Sequence, residues 1–485
     1  MNEPNTSHTD KALRGLRHLG LAQLLTQAIT WGLTAVTVHI LTPRDYGLIA
    51  TAGMFTVFAQ MLFDGGLTEV LVSQRNFPAR LQGAALSAII LVSLLLGSMV
   101  FAVAPVAASF FHSPPLTGIL EVSSLYLPLT ALGFAPGVLL NKQMQFKSLG
   151  RIQLIAGVCQ GVCTLALAYV GKAYWALIIG SFLGMAIRVT LLWIALDQKP
   201  TPNLSLRDLR PVLRSGAHMI GQRLSYFTLD NLDVFILSRL CGPIELGPYS
   251  VARNLAHTAL NKISGVTGQI AVPTFAAKTE APDQLRGLVT IMSVTATATF
   301  PLFWIMAVAA QLALPLIFGN RWLHVVFPFS AFAVILPLRT MYSFLNSSLV
   351  GTGRTAISFR NTLTWLTLLI PFVLIGVTKG ADGVAFGWAA AFPLVFYFAM
   401  RRTSRIYLVK TSTFLKPLLF PVICAGISML LAELILIGLE RHLSAPLILA
   451  FQCAAASSCY VLLLRRLSPV QYDQTLTLVR RIARV

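Results

Sequence analysis

Apolar runs of about 20 residues, broken by short stretches of Pro, Gly and charge, follow one another along nearly the whole chain. A run of that length crosses the roughly 30 Å hydrocarbon layer of a bilayer as a helix. The runs fall at 15–41, 46–73, 82–110, 116–140, 148–170, 174–197, 212–238, 245–273, 285–311, 322–350, 356–378, 382–400, 414–439 and 444–464. The pattern therefore predicts an all-α polytopic membrane protein of about fourteen transmembrane helices. Residues 1–10 are polar, and the first apolar run is too long and lacks a small-residue cleavage site, so it reads as a start anchor and not a signal peptide.

Polar residues inside these runs carry the next layer of information. Gln23, Thr26, Gln27, Thr30 and Thr34 recur at spacings of three and four, which lays them along one helical stripe suited to water or substrate. The second run holds Asp64 and Glu69. The densest charge lies in a predicted hairpin from Arg223 to Lys262, with Asp230, Asp233, Arg253 and His257 between. A charge at membrane depth costs about 2.5 kcal/mol or more and marks a functional site by default. Counted from the turn, Asp230 and Arg253 stand at similar depth and are expected to pair, whereas Arg223 and Lys262 share a deeper level at which no acid of the hairpin balances them. Arg223, Asp230 and Asp233 share one face, while Arg253 and Lys262 point away from each other on a straight helix.

The chain also repeats itself. Pro43, Asp45 and Gly47 return 200 residues later as Pro243, Glu245 and Gly247. Leu127-Pro128-Leu129 returns as Leu336-Pro337-Leu338, and Gly171 with Ala176 returns as Gly380 with Ala385, at an offset of 209. Marks in one order across six runs predict two parallel six-helix lobes related by an axis along the membrane normal, with a binding site between them. The expected division is a tail at 1–14, lobes at 15–198 and 212–402 joined by a linker at 199–211, an extra helix pair at 413–464 and a basic tail at 465–485. Opposite Arg223, Asp230, Asp233, Arg253 and Lys262, the first lobe has Gln23, Thr30, Leu33, Gly53 and Leu62.

Charge fixes the orientation and removes one class of partner. The chain is 56% hydrophobic and 11% charged with a net charge of +20. Of its 37 Lys and Arg residues, 26 fall in tails and loops on one side and 6 on the other, so both termini are expected in the cytoplasm. The excess reads as a skirt facing anionic headgroups of membrane lipids, and no nucleic acid is needed to explain it. The five cations left over, expected at membrane depth away from the loops and tails, are Arg188, Arg223, Arg253, Lys262 and Arg339. The six cysteines sit in or beside apolar runs and read as packing residues, the eight histidines lack metal-ligand spacing, and no metal is expected. The turn Gly351-Thr352-Gly353-Arg354 follows no strand, so it reads as a helix end and not a phosphate loop.

Unbalanced intramembrane cations suit an anion such as a phosphate, which Arg binds bidentately. The competing reading is internal pairing with Asp64, Glu69, Asp233, Glu121 or Glu433. The acids Asp64, Asp233, Asp230 and Glu69 are candidates for coupling to H⁺ or Na⁺, with structural pairing as the alternative. No other cofactor and no covalent chemistry is called for.

Several motifs together resemble a known family: Leu41 to Gly47 (LTPRDYG), Phe63 to Leu67 (FDGGL), Val72 to Arg75 (VSQR), Asn231 to Asp233 (NLD), Leu246 to Ala252 (LGPYSVA), Val272-Pro273 and Gly353 to Thr355 (GRT). The chain is similar over residues 12–400 to the Wzx-like polysaccharide-unit flippases of the MOP superfamily, which also holds lipid II flippases and multidrug exporters. The resemblance implies two six-helix lobes around a cationic cavity, alternating access, and movement of an undecaprenyl-pyrophosphate-linked oligosaccharide across a bacterial inner membrane. On that reading Arg223, Lys262, Arg188, Arg339 and Arg253 hold the pyrophosphate, Gln23, Gln27 and Thr30 contact sugars, and a polysaccharide polymerase and export machinery are partners. Where relatives often carry an aromatic after the acid, this chain has Gly65. The rival readings are a small-solute or multidrug exporter of the same fold, for which a cationic cavity is unsuited if the drugs are cations, and a polytopic glycosyltransferase or ligase. The short outer loops, nearly empty of acids, speak against an enzyme.

Overall fold

The computed structural model describes residues 29–30, 32–64, 79–197, 200–203, 224, 227–277, 281–439 and 444–483, with backbone alone at 63–64, 79, 81, 261–277, 281 and 478–483. Gln23, Gln27, Glu69 and Arg223 lie outside these residues. The described chain is helical throughout, and nine helical stretches in it are long and apolar enough to cross a membrane. The protein is an all-α polytopic membrane protein, as the apolar runs predict.

In chain order the helices are α1 (32–40), α2 (Pro43–Asp64), α3 (Ala79–Phe110), α4 (Pro115–Leu132), α5 (Phe134–Lys142), α6 (Phe146–Tyr169), α7 (Tyr174–Ile194), α8 (227–240), α9 (Gly242–Ala277), α10 (Ala281–Phe318), α11 (Val326–Gly351), α12 (Thr355–Gly376), α13 (Gly380–Ile406), α14 (Ser412–Leu439), α15 (Ala445–Leu467) and α16 (Pro469–Ala483). The duplication is visible in the backbone: a positive φ ends the turn before α6 at Met144 (55°) and before α12 at Gly353 (75°), and Gly171 (78°) is matched by Gly380 (66°). Both pairs obey the 209-residue offset.

The chain forms two compact units, 1–247 and 248–485. In the first, α2 begins with a capping box in which the Thr42 amide and hydroxyl both donate to Asp45 Oδ2, at 2.9 and 2.7 Å. Helices α3 with α4 and α6 with α7 pack as hairpins, and Leu48, Ala52, Ala104, Ala108, Leu116, Ile119 and Leu120 form one buried cluster among α2, α3 and α4. The expected span 116–140 is divided at Gly133, between α4 and α5. The Trp193 indole donates at 2.9 Å to the Leu132 carbonyl at this break, so a backbone group exposed by the interruption finds a donor from α7.

Helix α8, which the duplication assigns to the second repeat, packs within the first unit. Thr51 and Ser238 hydroxyls meet at 2.7 Å, Phe58 stacks against Phe227, and Phe235 lies against Phe110 and Phe111. At the end of α8 the repeated turns touch each other. A Cβ on Gly47 would run into the Pro243 carbonyl, and a Cβ on Gly247 would run into the Pro43 carbonyl. The PxxxG spacing common to both copies thus has a cause: two helix starts cross with backbone on backbone.

In the second unit α10 is the hub, packed against α11, α14, α15 and α16. Polar ties attach the last three helices to it at successive levels. Gln471 Nε2 donates to Ser293 Oγ at 2.9 Å, the Tyr460 hydroxyl donates to the Thr297 carbonyl at 2.8 Å, and Gln311 Nε2 donates to Glu433 Oε1 at 2.7 Å. Gln471 Nε2 also reaches the Pro417 carbonyl at 2.8 Å, which Pro421 cannot serve because it has no N–H. Val308, Ala432 and Ala456 close the dry seam between these helices.

Candidate functional site

The second unit contains the best-defined buried cation. Arg339 is on α11 two residues after Pro337, and only 6% of it is exposed. Its guanidinium lies over the rings of Trp388 and Trp365, 5.2 and 5.5 Å from their centres. Each such contact stabilises by roughly 0.5–2 kcal/mol, more when water is excluded. Arg339 Nη1 also donates to His257 Nε2 at 2.9 Å. Since a guanidinium has donors only, Nε2 must accept, which leaves the His257 proton on Nδ1.

The rings are held from several helices at once. Trp365 (α12) meets Trp388 (α13) edge to face at 5.9 Å, Tyr342 and Phe392 pack on Trp365 at 5.2 and 5.3 Å, and Phe332 joins Trp388 to Tyr249. Edge-to-face pairs each contribute about 0.5–1.5 kcal/mol beyond area burial, so the box is rigid and fixes the guanidinium. A polar stack continues along α11, where Asn361 Nδ2 donates to Asn346 Oδ1 at 3.3 Å and Arg402 Nη1 donates to Asn361 Oδ1 at 3.1 Å.

The other expected site residues are scattered by comparison. Arg253 is half-buried on α9, one turn before His257, while Lys262 is on the same helix with its side chain outside the described residues. Arg188 is exposed on α7. Asp233 on α8 is fully buried, with Oδ1 accepting the Val234 N–H at 2.8 Å, and Asp230 is half-buried one turn earlier. Asp64 ends α2, its side chain outside the described residues. Thr30 is half-buried, and its carbonyl accepts the Thr34 hydroxyl at 2.7 Å. Sequence reasoning placed Arg339 among the cations but missed the His257, Trp365 and Trp388 box around it. The one local signal was the four-residue step from Arg253 to His257; the tryptophans arrive from helices far along the chain.

Comparison with known proteins decides the family. The profile described as "Polysaccharide biosynthesis protein" (Polysacc_synt_3) matches residues 36–327, more than half of the chain. The chain belongs to this family. Among proteins of similar sequence, it is 25% identical over 390 residues to the lipopolysaccharide biosynthesis protein WzxC of Escherichia coli (strain K12), covering 78% of each chain. It is 22% identical over 472 residues to the teichuronic acid biosynthesis protein TuaB of Bacillus subtilis (strain 168), covering 96% of this chain and 97% of that one. Among solved structures, the lipid II flippase MurJ in an inward closed conformation superposes with a TM-score of 0.73 at 11% identity, over 92% of this chain and 98% of MurJ. That likeness shows the fold: the helices of this chain are arranged as those of MurJ.

Proposed function

We propose that this protein is a flippase that moves an undecaprenyl-pyrophosphate-linked oligosaccharide unit between leaflets of a bacterial inner membrane for surface polysaccharide assembly. The observation that carries the reading is the family match over residues 36–327, supported by likeness to WzxC along most of both chains. Physical chemistry agrees with it. Of the five cations assigned to neither the loops nor the tails, four belong to the second repeat, a charge balance suited to a pyrophosphate in transit. Arg339 is positioned by its aromatic box, and Arg223, Lys262, Arg253 and Arg188 are proposed as further phosphate ligands, with Gln23, Gln27 and Thr30 toward the sugars. Asp233, Asp64, Asp230 and Glu69 are the proposed carboxylates for coupling to H⁺ or Na⁺. Both termini lie in the cytoplasm on this reading, and the polymerase and export machinery receive the flipped unit. Loss of the gene should leave lipid-linked repeat units accumulated on the cytoplasmic leaflet, measured by access to a membrane-impermeant lectin or glycosidase in inverted vesicles. Normal leaflet distribution in the null strain sinks the proposal.

A further inference from the structure

The turn that ends at Arg354 has a second feature beyond its helix-ending glycine. Arg354 stands immediately before α12 with φ −90° and ψ 45° and makes no side-chain cap. Three polar atoms at this corner are buried without a hydrogen-bond partner: Arg354 Nη1, Ser358 Oγ and the Tyr407 hydroxyl. Ser358 is 2% exposed and follows Arg354 by one helical turn, so it shares its face of α12. Tyr407 follows the end of α13 and puts its ring 5.3 Å from the Arg354 guanidinium carbon. Burial raises the Tyr407 phenol, and the nearby Arg354 charge partly offsets this. The guanidinium lies near the hydroxyl, yet neither Nη1 nor that hydroxyl completes a hydrogen bond of sound geometry. Buried groups of this kind are normally satisfied, and a charged donor is the costliest to leave.

The surroundings are strongly cationic. Arg360, Arg401, Arg402, Arg405 and Lys410 follow on α12, α13 and the segment after it, and from residue 326 to 412 the sequence holds one acid, Asp382. Asp382 is in the first turn of α13, at the opposite end of that helix from Arg405. The frame is fixed because Arg402 Nη1 donates to the Arg360 carbonyl and to Asn361 Oδ1, both at 3.1 Å. Two large apolar side chains flank the corner in the open: Phe359 at 46% and Leu408 at 93% exposure.

The internal repeat supplies a control. Met144 takes the positive φ of Gly353, but Gln145 and Leu149 replace Arg354 and Ser358, and Gln145 Nε2 donates to Gln143 Oε1 at 3.0 Å. The turn is thus built in both repeats, and the unsatisfied donors in one. We infer that this corner binds a phosphate-bearing anion, held by the first N–H groups of α12, the Arg354 fork and the Ser358 and Tyr407 hydroxyls. The exposed Phe359 and Leu408 point to an anionic phospholipid headgroup as its source, with the acyl chains beside them. The site is separate from the intramembrane cations and does not depend on the transported substrate.

The test uses the full chain purified in neutral detergent without phosphate, titrated with short-chain phosphatidylglycerol or with inorganic phosphate while intrinsic tryptophan fluorescence and the unfolding midpoint are followed. Phosphatidylglycerol should bind saturably, about tenfold or more weaker in Arg354→Gln and several-fold weaker in Ser358→Ala, with Arg360→Gln near wild type. Inorganic phosphate binding with the same variant dependence keeps the site and assigns it to free phosphate. If Arg354→Gln does not fold, Ser358→Ala, which alters no charge, decides. Wild-type affinity in Ser358→Ala and Arg354→Gln, or an equal loss in Arg360→Gln, overturns the inference.

Discussion

The two repeats use one backbone plan for different loads. Around Arg339 the second repeat gathers His257, Trp365 and Trp388; at the matching offsets the first repeat has Thr130, Val57, Ala156 and Ile179. Trp388 is fully buried and Trp365 is 6% exposed, whereas Val57 is 49% and Ile179 is 43% exposed. Two of the matching positions, Val57 and Ile179, therefore face open surroundings in the first copy, while Ala156, opposite Trp365, is equally buried at 6% but fills its place with a methyl group instead of an indole. A buried guanidinium is tolerated only where rings and a histidine acceptor enclose it, so cation and box belong together. Charge asymmetry between the copies is in this sense a packing asymmetry first.

Truncation should break the comparison most sharply at the tryptophan. Trp388→Ala is expected to cost about 3–5 kcal/mol, because it opens a large cavity and removes a face from Arg339. Ile179→Ala, its first-repeat partner, should stay within about 0.5 kcal/mol, as exposed positions do. Unfolding midpoints of the two variants in one detergent measure this, and equal losses would mean that the box is not the structural centre of its unit. Arg339→Thr installs the first-repeat residue and leaves His257 Nε2 without its donor, an expected cost of about 1–3 kcal/mol. Flipping, followed by complementation of a null strain, should drop about tenfold or more, while Thr130→Val should complement fully. Arg339→Lys separates charge from geometry: an ammonium lacks the planar fork and the stacking surface, so it should rescue little.

How much of this was legible in the sequence follows from the range of each interaction. The spans were, because about 20 apolar residues between charged ends define a helix locally. Pro105, Pro128, Pro301, Pro315, Pro337, Pro371 and Pro393 lie inside continuous helices, while the expected span 116–140 parts at Gly133, three residues before Pro136, which has no N–H to offer the Leu132 carbonyl. The repeat was legible because Pro43, Gly47, Gly171 and their copies occupy positions where few other residues fit. The packing of α8 with the first unit was not, since it rests on Phe110, Phe111 and Thr51, well over a hundred residues away. Arg339 was legible as a cation within an apolar run, but its surroundings were not. Nothing near Arg339 in sequence announces Trp365 or Trp388, and Arg354 looked like the tail of a glycine turn.

Where the repeats agree, equal effects are expected. Gly47→Ala and Gly247→Ala each drive a methyl group into the carbonyl of the opposite proline, and backbone cannot yield as a side chain does. Each should destabilise by about 1–3 kcal/mol, and by similar amounts. Gly53→Ala, where a Cβ meets nothing within 4 Å, is the control and should be neutral or slightly stabilising. A large difference between the two glycine variants in the unfolding midpoint would show that the crossing is not symmetric.

The smallest expected effect concerns helices that have no counterpart in the first repeat. Helices α14 to α16 are an addition, and α10 accepts them through Ser293, Thr297 and Gln311. Tyr460 is 5% exposed and its hydroxyl donates to the Thr297 carbonyl, whereas the ring packs whether or not the hydroxyl is present. Tyr460→Phe removes the tie and keeps the shape, so about 0.5–1.5 kcal/mol should be lost. The loss should appear in the global unfolding midpoint if the added helices melt with the second unit. A separate low-temperature transition in Tyr460→Phe, with the main midpoint unchanged, would instead make them an independent hairpin that leans on α10, and the second repeat would be no larger a cooperative body than the first.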